Sequence, residues 1–347
     1  MVYLSRACRF SSILALATTL AACAAPIAPA DDVPDGSAAL DASSTDGALD
    51  VTQERSDAAP DVLPDAAPDV TPPPDSAVLC GLCEAYAPPA IVGRLDSMEL
   101  RELSGLASSE RHRGVLWGHN DSGDSARIFA LSSTGVRRST VTIQGAGAVD
   151  WEDIALGPCP DTGHCIMIAD VGDNGRVRAG VQLYRVREPS EITDTMSLTA
   201  ERIEVRYPSG AMNCESLVLD PRDATRGYLI EKVDRGAARV FSVTLPPAAG
   251  TATATLLTSL RGVDAQEITA ADAHPCQNAV IVRTYADIFE FRAAAGQTLA
   301  QAFAATPTTI TAPREIQGEA IAYARDGQSF FTSSEGTFAP FSRVGCR

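Results

Sequence analysis

Residues 80–347 are predicted to fold as an all-β, five-bladed β-propeller closed by an N-terminal strand. Three observations carry this expectation. First, one pattern recurs at Ser104, Glu152, Glu215, Glu267 and Glu319, at intervals of 48, 63, 52 and 52 residues: a polar residue, an apolar strand, a turn and a second apolar strand. Four short strands in each ~50 residues is the period of a propeller blade. Second, no stretch shows helical periodicity. Third, the last repeat reaches Arg347 without a fourth strand, while residues 90–95 form a strand with no repeat of their own. Pairing the two would close the ring and remove its exposed edges.

The elements follow in order. Residues 1–22 read as a secretory signal, with Arg6 and Arg9 ahead of a short apolar run over 10–20, too short to span a bilayer. The run ends Leu20-Ala21-Ala22-Cys23, which resembles a bacterial lipobox with Cys23 as the lipidated residue. Cleavage after an A-x-A-like site, with Cys23 incidental, is the alternative. Ala24 after the cysteine favours the outer membrane, by resemblance to Gram-negative lipoproteins. Residues 23–79 are rich in Ala, Asp, Pro, Ser and Thr, with a loose Pro-Asp repeat, and bury too little apolar surface to fold. They are expected to form an extended tether.

The repeat hairpins then pair 104–107 with 114–121, 152–155 with 165–170, 215–218 with 228–232, 267–270 with 280–284, and 319–322 with 330–335. Third strands are expected at 127–131, 182–186, 239–243, 287–291 and 341–344, and fourth strands at 140–143 and 202–206 among others. A six-bladed ring would need a further repeat inside 152–215, the longest interval.

Charge excludes some functions. Of the formal −16, −9 falls in residues 1–79, leaving −7 for 80–347, and Lys232 is the sole lysine. Without a basic stripe, nucleic acid is not an expected partner. Four scattered histidines and no paired CxxC motifs argue against structural zinc. Nine cysteines in an exported chain predict disulfides. Cys159 and Cys165 flank one hairpin turn, and Cys346 should meet Cys80 or Cys83 where the ring closes. Cys80 and Cys83 as a redox pair is the alternative. Cys214 and Cys276 are unassigned, and an odd number leaves at least one thiol without an internal partner.

In an antiparallel hairpin the first strand begins at the edge where the second ends. Ser104, Glu152, Glu215, Glu267 and Glu319 should therefore ring one mouth of the central channel. Four carboxylates and a hydroxyl there must be protonated, paired or metal-bound. Oxygen ligands alone suit Ca²⁺. The alternative is that these side chains hydrogen-bond neighbouring backbone and brace the blades. His119, Asp121, Asp124, Asp150, Asp170, Asp173, Lys232 and Arg283 are expected on the same face as a ligand-binding surface. No G-x-S-x-G motif supports nucleophilic hydrolysis.

Residues 98–345 resemble exported bacterial propellers named for the esterase-like activity of phytase. The resemblance rests on Glu102-Leu-Ser-Gly-Leu-Ala, His119-Asn-Asp-Ser-Gly-Asp, Asp150-Trp-Glu-Asp-Ile-Ala, Asp170-Val-Gly-Asp-Asn, Arg283-Thr-Tyr and Gly318-Glu-Ala-Ile. The ring of Ser104, Glu152, Glu215, Glu267 and Glu319 looks more distantly like that of calcium-activated apyrases. That likeness implies an axial Ca²⁺ more than a reaction. The expectation is thus a lipid-anchored envelope propeller that binds a small molecule, glycan or peptide on an acidic, calcium-loaded face. A calcium-dependent phosphoric-ester hydrolase and a metal-free docking scaffold are the alternatives.

Overall fold

The computed structural model describes residues 80–264 and 266–347. The expected signal, Cys23 and the tether lie outside the described residues.

β1 (Ala90–Arg94) comes first, and its partner lies at the far end of the chain. β2 (Leu103–Ser108), β3 (Val115–Asn120), β4 (Arg127–Ser132) and β5 (Arg137–Gln144) form one antiparallel meander. β6 (Trp151–Pro158), β7 (His164–Asp170), β8 (Val181–Arg187) and β10 (Glu201–Arg206) form the next. Between them in sequence, β9 (Thr195–Thr199) leaves this group and adds to the outer edge of β5 in parallel. β11 (Cys214–Leu219), β12 (Arg226–Glu231), β13 (Arg239–Thr244) and β14 (Gly250–Ser259) follow. Then come β15 (Ile268–Ala273), β16 (Ala279–Thr284), β17 (Ile288–Arg292) and β18 (Thr308–Ile310). β19 (Gly318–Tyr323), β20 (Ser329–Ser334) and β21 (Pro340–Gly345) end the chain, and β1 pairs antiparallel with β21 as expected.

Parallel pairing of β10 with β14 fuses two of these groups, so the described strands make sheets of four, eight, four and five. β2 packs on β6, β6 on β11, β11 on β15, β15 on β19, and β19 back on β2. The first strand of every group thus faces a common axis, and the protein is an all-β fold of the propeller type. Burial follows from position. β3, β11, β16, β19 and β20 are buried at every residue, covered on both faces by neighbouring sheets. Outer β5 alternates, with Ser139, Val141 and Ile143 inward.

The expected absence of helix fails at one turn, α1 (Leu299–Ala302). It buries Leu299 and leads into Phe303, whose ring sits 5.0 Å from that of Tyr228. One turn is too short to show a period.

Three disulfides are formed among the described residues. Cys159–Cys165 closes the hairpin turn, and Cys83–Cys346 ties the ends of the ring, both as expected. Cys80 joins Cys276, a pairing across 196 residues that sequence spacing did not reveal. Neither Cys80 nor Cys83 is therefore half of a CxxC redox pair. Cys214 is free and buried.

Polar side chains link first strands that share no ladder. Ser104 Oγ donates to the Glu152 carbonyl at 2.7 Å, and Thr269 Oγ1 donates to that of Gly318 at 3.0 Å. Asp272 accepts the Tyr323 N–H at 2.8 Å, and burial pushes its carboxyl from 3.8 up to about 7. The folded state thus holds this proton more tightly than the unfolded one. The resulting stabilisation is complete below the unfolded value and is lost as pH rises through about 7. A difference of this size is worth up to ~4 kcal/mol. Asp272→Asn keeps an acceptor and has no proton to lose, so its stability is expected to vary less than wild type between pH 4 and 8. Denaturant melts at both pH values check this, and parallel pH profiles for the two proteins would contradict it.

Candidate functional site

The starts of β2, β6, β11, β15 and β19 share one edge with the ends of β3, β7, β12, β16 and β20. Each first strand carries a bulge there. The ladder skips Ser104, Glu152, Glu215, Thr269 and Glu319, one residue in each repeat. Glu267 is thereby corrected. It lies ahead of β15, half-buried, and Thr269 takes the position equivalent to the three buried glutamates. Glu267 and Thr269 are two apart, so both registers keep the same alternation of faces, and hydrophobic pattern alone cannot separate them. The two hydroxyls, Ser104 and Thr269, spend their protons on the bracing bonds to neighbouring backbone.

The glutamates differ in what accompanies them. Asn213 Nδ2 donates to Glu215 Oε1 at 3.1 Å, and Gln317 Nε2 donates to Glu319 Oε1 at 3.4 Å. In both repeats the amide lies two residues before the acid, on the same side of the strand. At Glu152 that position is Asp150, whose ionised side chain has no N–H to donate. Ligand oxygens of Asp121, Asp150 and Glu152 all lie within 4.8 Å of one another. Gly172 gives them room, because a Cβ there would overlap Glu152 Oε1 and the Asp150 carboxylate. Burial first, then Glu215, Asp121 and Asp150, hold the Glu152 carboxyl well above its ordinary value. Asp150 is raised by burial and Asp121, against the pull of Arg178.

Lys232 stands on the other side of Glu215, with Nζ 3.2 Å from Oε2. It donates to the Tyr285 hydroxyl at 3.0 Å. Burial raises Glu319 to about 8, partly offset by Lys232. Lys232 therefore offsets charge beside Glu215 and Glu319. Asp121, Asp150 and Glu152 form a second acidic group at the same mouth, where Arg178 acts on Asp150 and Glu152 also hydrogen-bonds Glu215. These three offer oxygen donors only, the set a hard cation such as Ca²⁺ accepts. The second grouping of potential ligands among the described residues is Cys80, His274 and Cys276, whose two thiols are spent in a disulfide.

Of the eight residues expected on a ligand-binding face, Asp121, Asp150 and Lys232 stand at this mouth. The other five are engaged in contacts within the protein. His119 is fully buried, donates Nδ1–H to the Asn120 carbonyl at 2.8 Å, and lies edge-on to Trp151. Burial lowers its pKa, which favours the neutral ring. Asp124 is held by Asn120, the Ser125 N–H and Arg127. Asp170 pairs with Arg178 at 2.8 Å and accepts the Asp150 N–H at 3.1 Å. Asp173 accepts the N–H groups of Val177 and Arg178 at 2.9 and 2.8 Å. Both aspartates thus shape the 171–178 loop from within. Arg283 is buried against Glu315 beneath Gly318. Their Asx-rich sequences are the chemistry of tight loops.

Sequence reasoning missed Asn213, Gln317, Tyr285 and Thr269. The residue two before each bulge was the available signal, because it shares the glutamate's face. Asp153 belongs to the Asp150-Trp-Glu-Asp motif, which does not reveal its role. It is fully buried on the axis and accepts N–H groups from Ile154, Leu217 and Ala271.

No family model matches the sequence, and a search of characterised proteins returned no match. Among solved structures, a glucose dehydrogenase is similar at 10% identity and a TM-score of 0.45, over 75% of this chain and 100% of that one. The soluble aldose sugar dehydrogenase of Escherichia coli is similar at 10% identity and a TM-score of 0.44, over 75% and 99%. Neither carries the phytase or apyrase description that the sequence motifs resemble, and at these values the likeness says nothing of activity.

Proposed function

We propose that this chain is a lipid-anchored envelope propeller of five blades. It binds calcium at one acidic mouth through Asp121, Asp150 and Glu152, and it presents that face to a small-molecule, glycan or peptide ligand. Five blades follow if the eight-stranded sheet is two blades joined edge to edge at β10 and β14. β9 then extends a neighbouring blade instead of founding a sixth. The anchor rests on Leu20-Ala21-Ala22-Cys23, and the outer-membrane placement on Ala24.

One observation carries the cation. Two buried glutamates have an amide two residues earlier that donates to them, and the third has Asp150. A carboxylate there destabilises an empty site and strengthens a loaded one. When bound, calcium would act as a Lewis acid toward an oxygen of the ligand.

The test is thermal unfolding of chelated protein titrated with Ca²⁺. A cation bound only by the folded state adds ~2.7 kcal/mol at a hundred times its Kd. Wild type is expected to show this saturable rise. Asp150→Asn recreates the Asn213–Glu215 arrangement, so it is expected to lose the response while its chelated form melts no lower than wild type. A flat wild-type titration, or an equal response in Asp150→Asn, would sink the proposal.

A calcium-dependent phosphoric-ester hydrolase is the second reading, and Lys232 favours it. The sole lysine stands across Glu215 from the three acids, placed to receive a phosphoryl oxygen. Calcium-dependent phosphate release from nucleotides or phytate, lost in Glu152→Gln, would decide for this reading.

A further inference from the structure

A groove of about 590 Å³ opens at the opposite edge of the sheets, where β2 and β19 end and β3 and β20 begin. Its floor includes Phe331, Val115 and Leu116. Its walls carry Arg113, Arg325 and Arg343 against one carboxylate, Asp326. This positive excess stands out in a segment of −7 formal charge.

Arg325 is paired with Glu110 at 2.9 Å. The other two guanidiniums keep no counter-ion. Arg343 donates Nε–H to Ser329 Oγ at 3.0 Å and stands over the Phe331 ring, 5.9 Å from its centroid. Its terminal nitrogens have no partner among the described residues, and Arg113 has none at all among them. Asp326, whose Oδ1 accepts the Gln328 N–H at 2.9 Å, forms no ion pair with either of them among the described residues and offsets one of the three positive charges. An adjoining concavity shares Arg113 and adds Arg111 and Arg138 against one carboxylate, Glu191, so the positive excess extends beyond the groove.

We infer that this groove binds a small organic anion, with a carboxylate or phosphate held by Arg343 and Arg113 and a flat apolar body lying over the Arg343–Phe331 stack. Guanidinium forks match both headgroups bidentately. Phe331 is 7% exposed with Arg343 standing over its ring, so a ligand ring would stack on the Arg343 guanidinium that Phe331 supports from below. The volume lies within the ~300–1,000 Å³ usual for small-ligand sites.

The test is calorimetric titration of the full chain at low salt with phenyl phosphate, benzoate and inorganic phosphate. One aromatic anion is expected to bind at one site per chain at least about tenfold more tightly than inorganic phosphate. Preference for phenyl phosphate or for benzoate identifies the headgroup. Arg343→Gln and Arg113→Gln, both exposed, should each weaken binding about tenfold with an unchanged melt. Asp150→Asn should bind like wild type, which separates this groove from the calcium proposal. No saturable binding to about 10 mM, an affinity too weak to matter at ~2.7 kcal/mol, would overturn the inference. So would equal affinity for inorganic phosphate, or indifference to both arginine substitutions.

Discussion

Asp153→Ala is expected to cost ~3–6 kcal/mol of stability, because each buried donor left without a partner costs ~1–3 kcal/mol. The first strands of a propeller turn one edge toward the axis, where no further strand can pair with it. Asp153 supplies the missing acceptors. Its Oδ1 takes the Ile154 N–H at 2.8 Å, and its Oδ2 takes those of Leu217 at 2.9 Å and Ala271 at 3.4 Å. One side chain on β6 thus joins β11 and β15 across the axis. Burial raises its carboxyl well above the ordinary value, against the pull of those three N–H groups. Asp153→Asn keeps one carbonyl acceptor of the same shape and should fall between Ala and wild type. Urea melts of the three proteins measure this. An alanine variant within ~1 kcal/mol of wild type, the worth of one ordinary hydrogen bond, would mean that water replaces the carboxylate without loss.

The second large effect concerns closure. Cys83–Cys346 spans 263 residues and lies beside the β1–β21 pairing that joins the two ends of the ring. Cross-linking so long a loop removes much of the unfolded chain's freedom, worth ~5 kcal/mol in the chain-entropy account. Cys159–Cys165 spans six residues and is worth ~2 kcal/mol on the same scale. Replacing both residues of each pair by serine should therefore separate them clearly. The Cys83/Cys346 variant is expected to lose about twice the stability of the Cys159/Cys165 variant under non-reducing conditions. Equal losses would show that β1 holds the ring without its covalent tie.

The site was legible in part. Repeat spacing located Glu152, Glu215 and Glu319 at one mouth, and the structure places all three there, buried. It misplaced the fourth member, since a shift of two residues leaves every side chain on its own face. Composition also overvalued the loops. Asp124, Asp170, Asp173 and His119 look like ligands in a sequence because polar residues in Gly-rich turns are chemically capable. The three aspartates are engaged by nearby N–H groups and arginines, and His119 is fully buried with Nδ1 bonded to a carbonyl. Arg113 and Arg343 attracted no notice, because 230 residues separate two positions that line one groove.

Strand identity and hairpin order of this chain can be read from local periodicity, because alternation and turn chemistry act over a few residues, and terminal closure follows from counting the strands of each repeat. Tertiary structure alone decided which acids lack an amide donor, that Cys80 pairs with Cys276, and which arginines stay without a counter-ion. Those outcomes depend on distances between residues far apart in sequence. Electrostatics and burial act through space, so the same glutamate is braced by an amide in one repeat and left beside two more carboxylates in another.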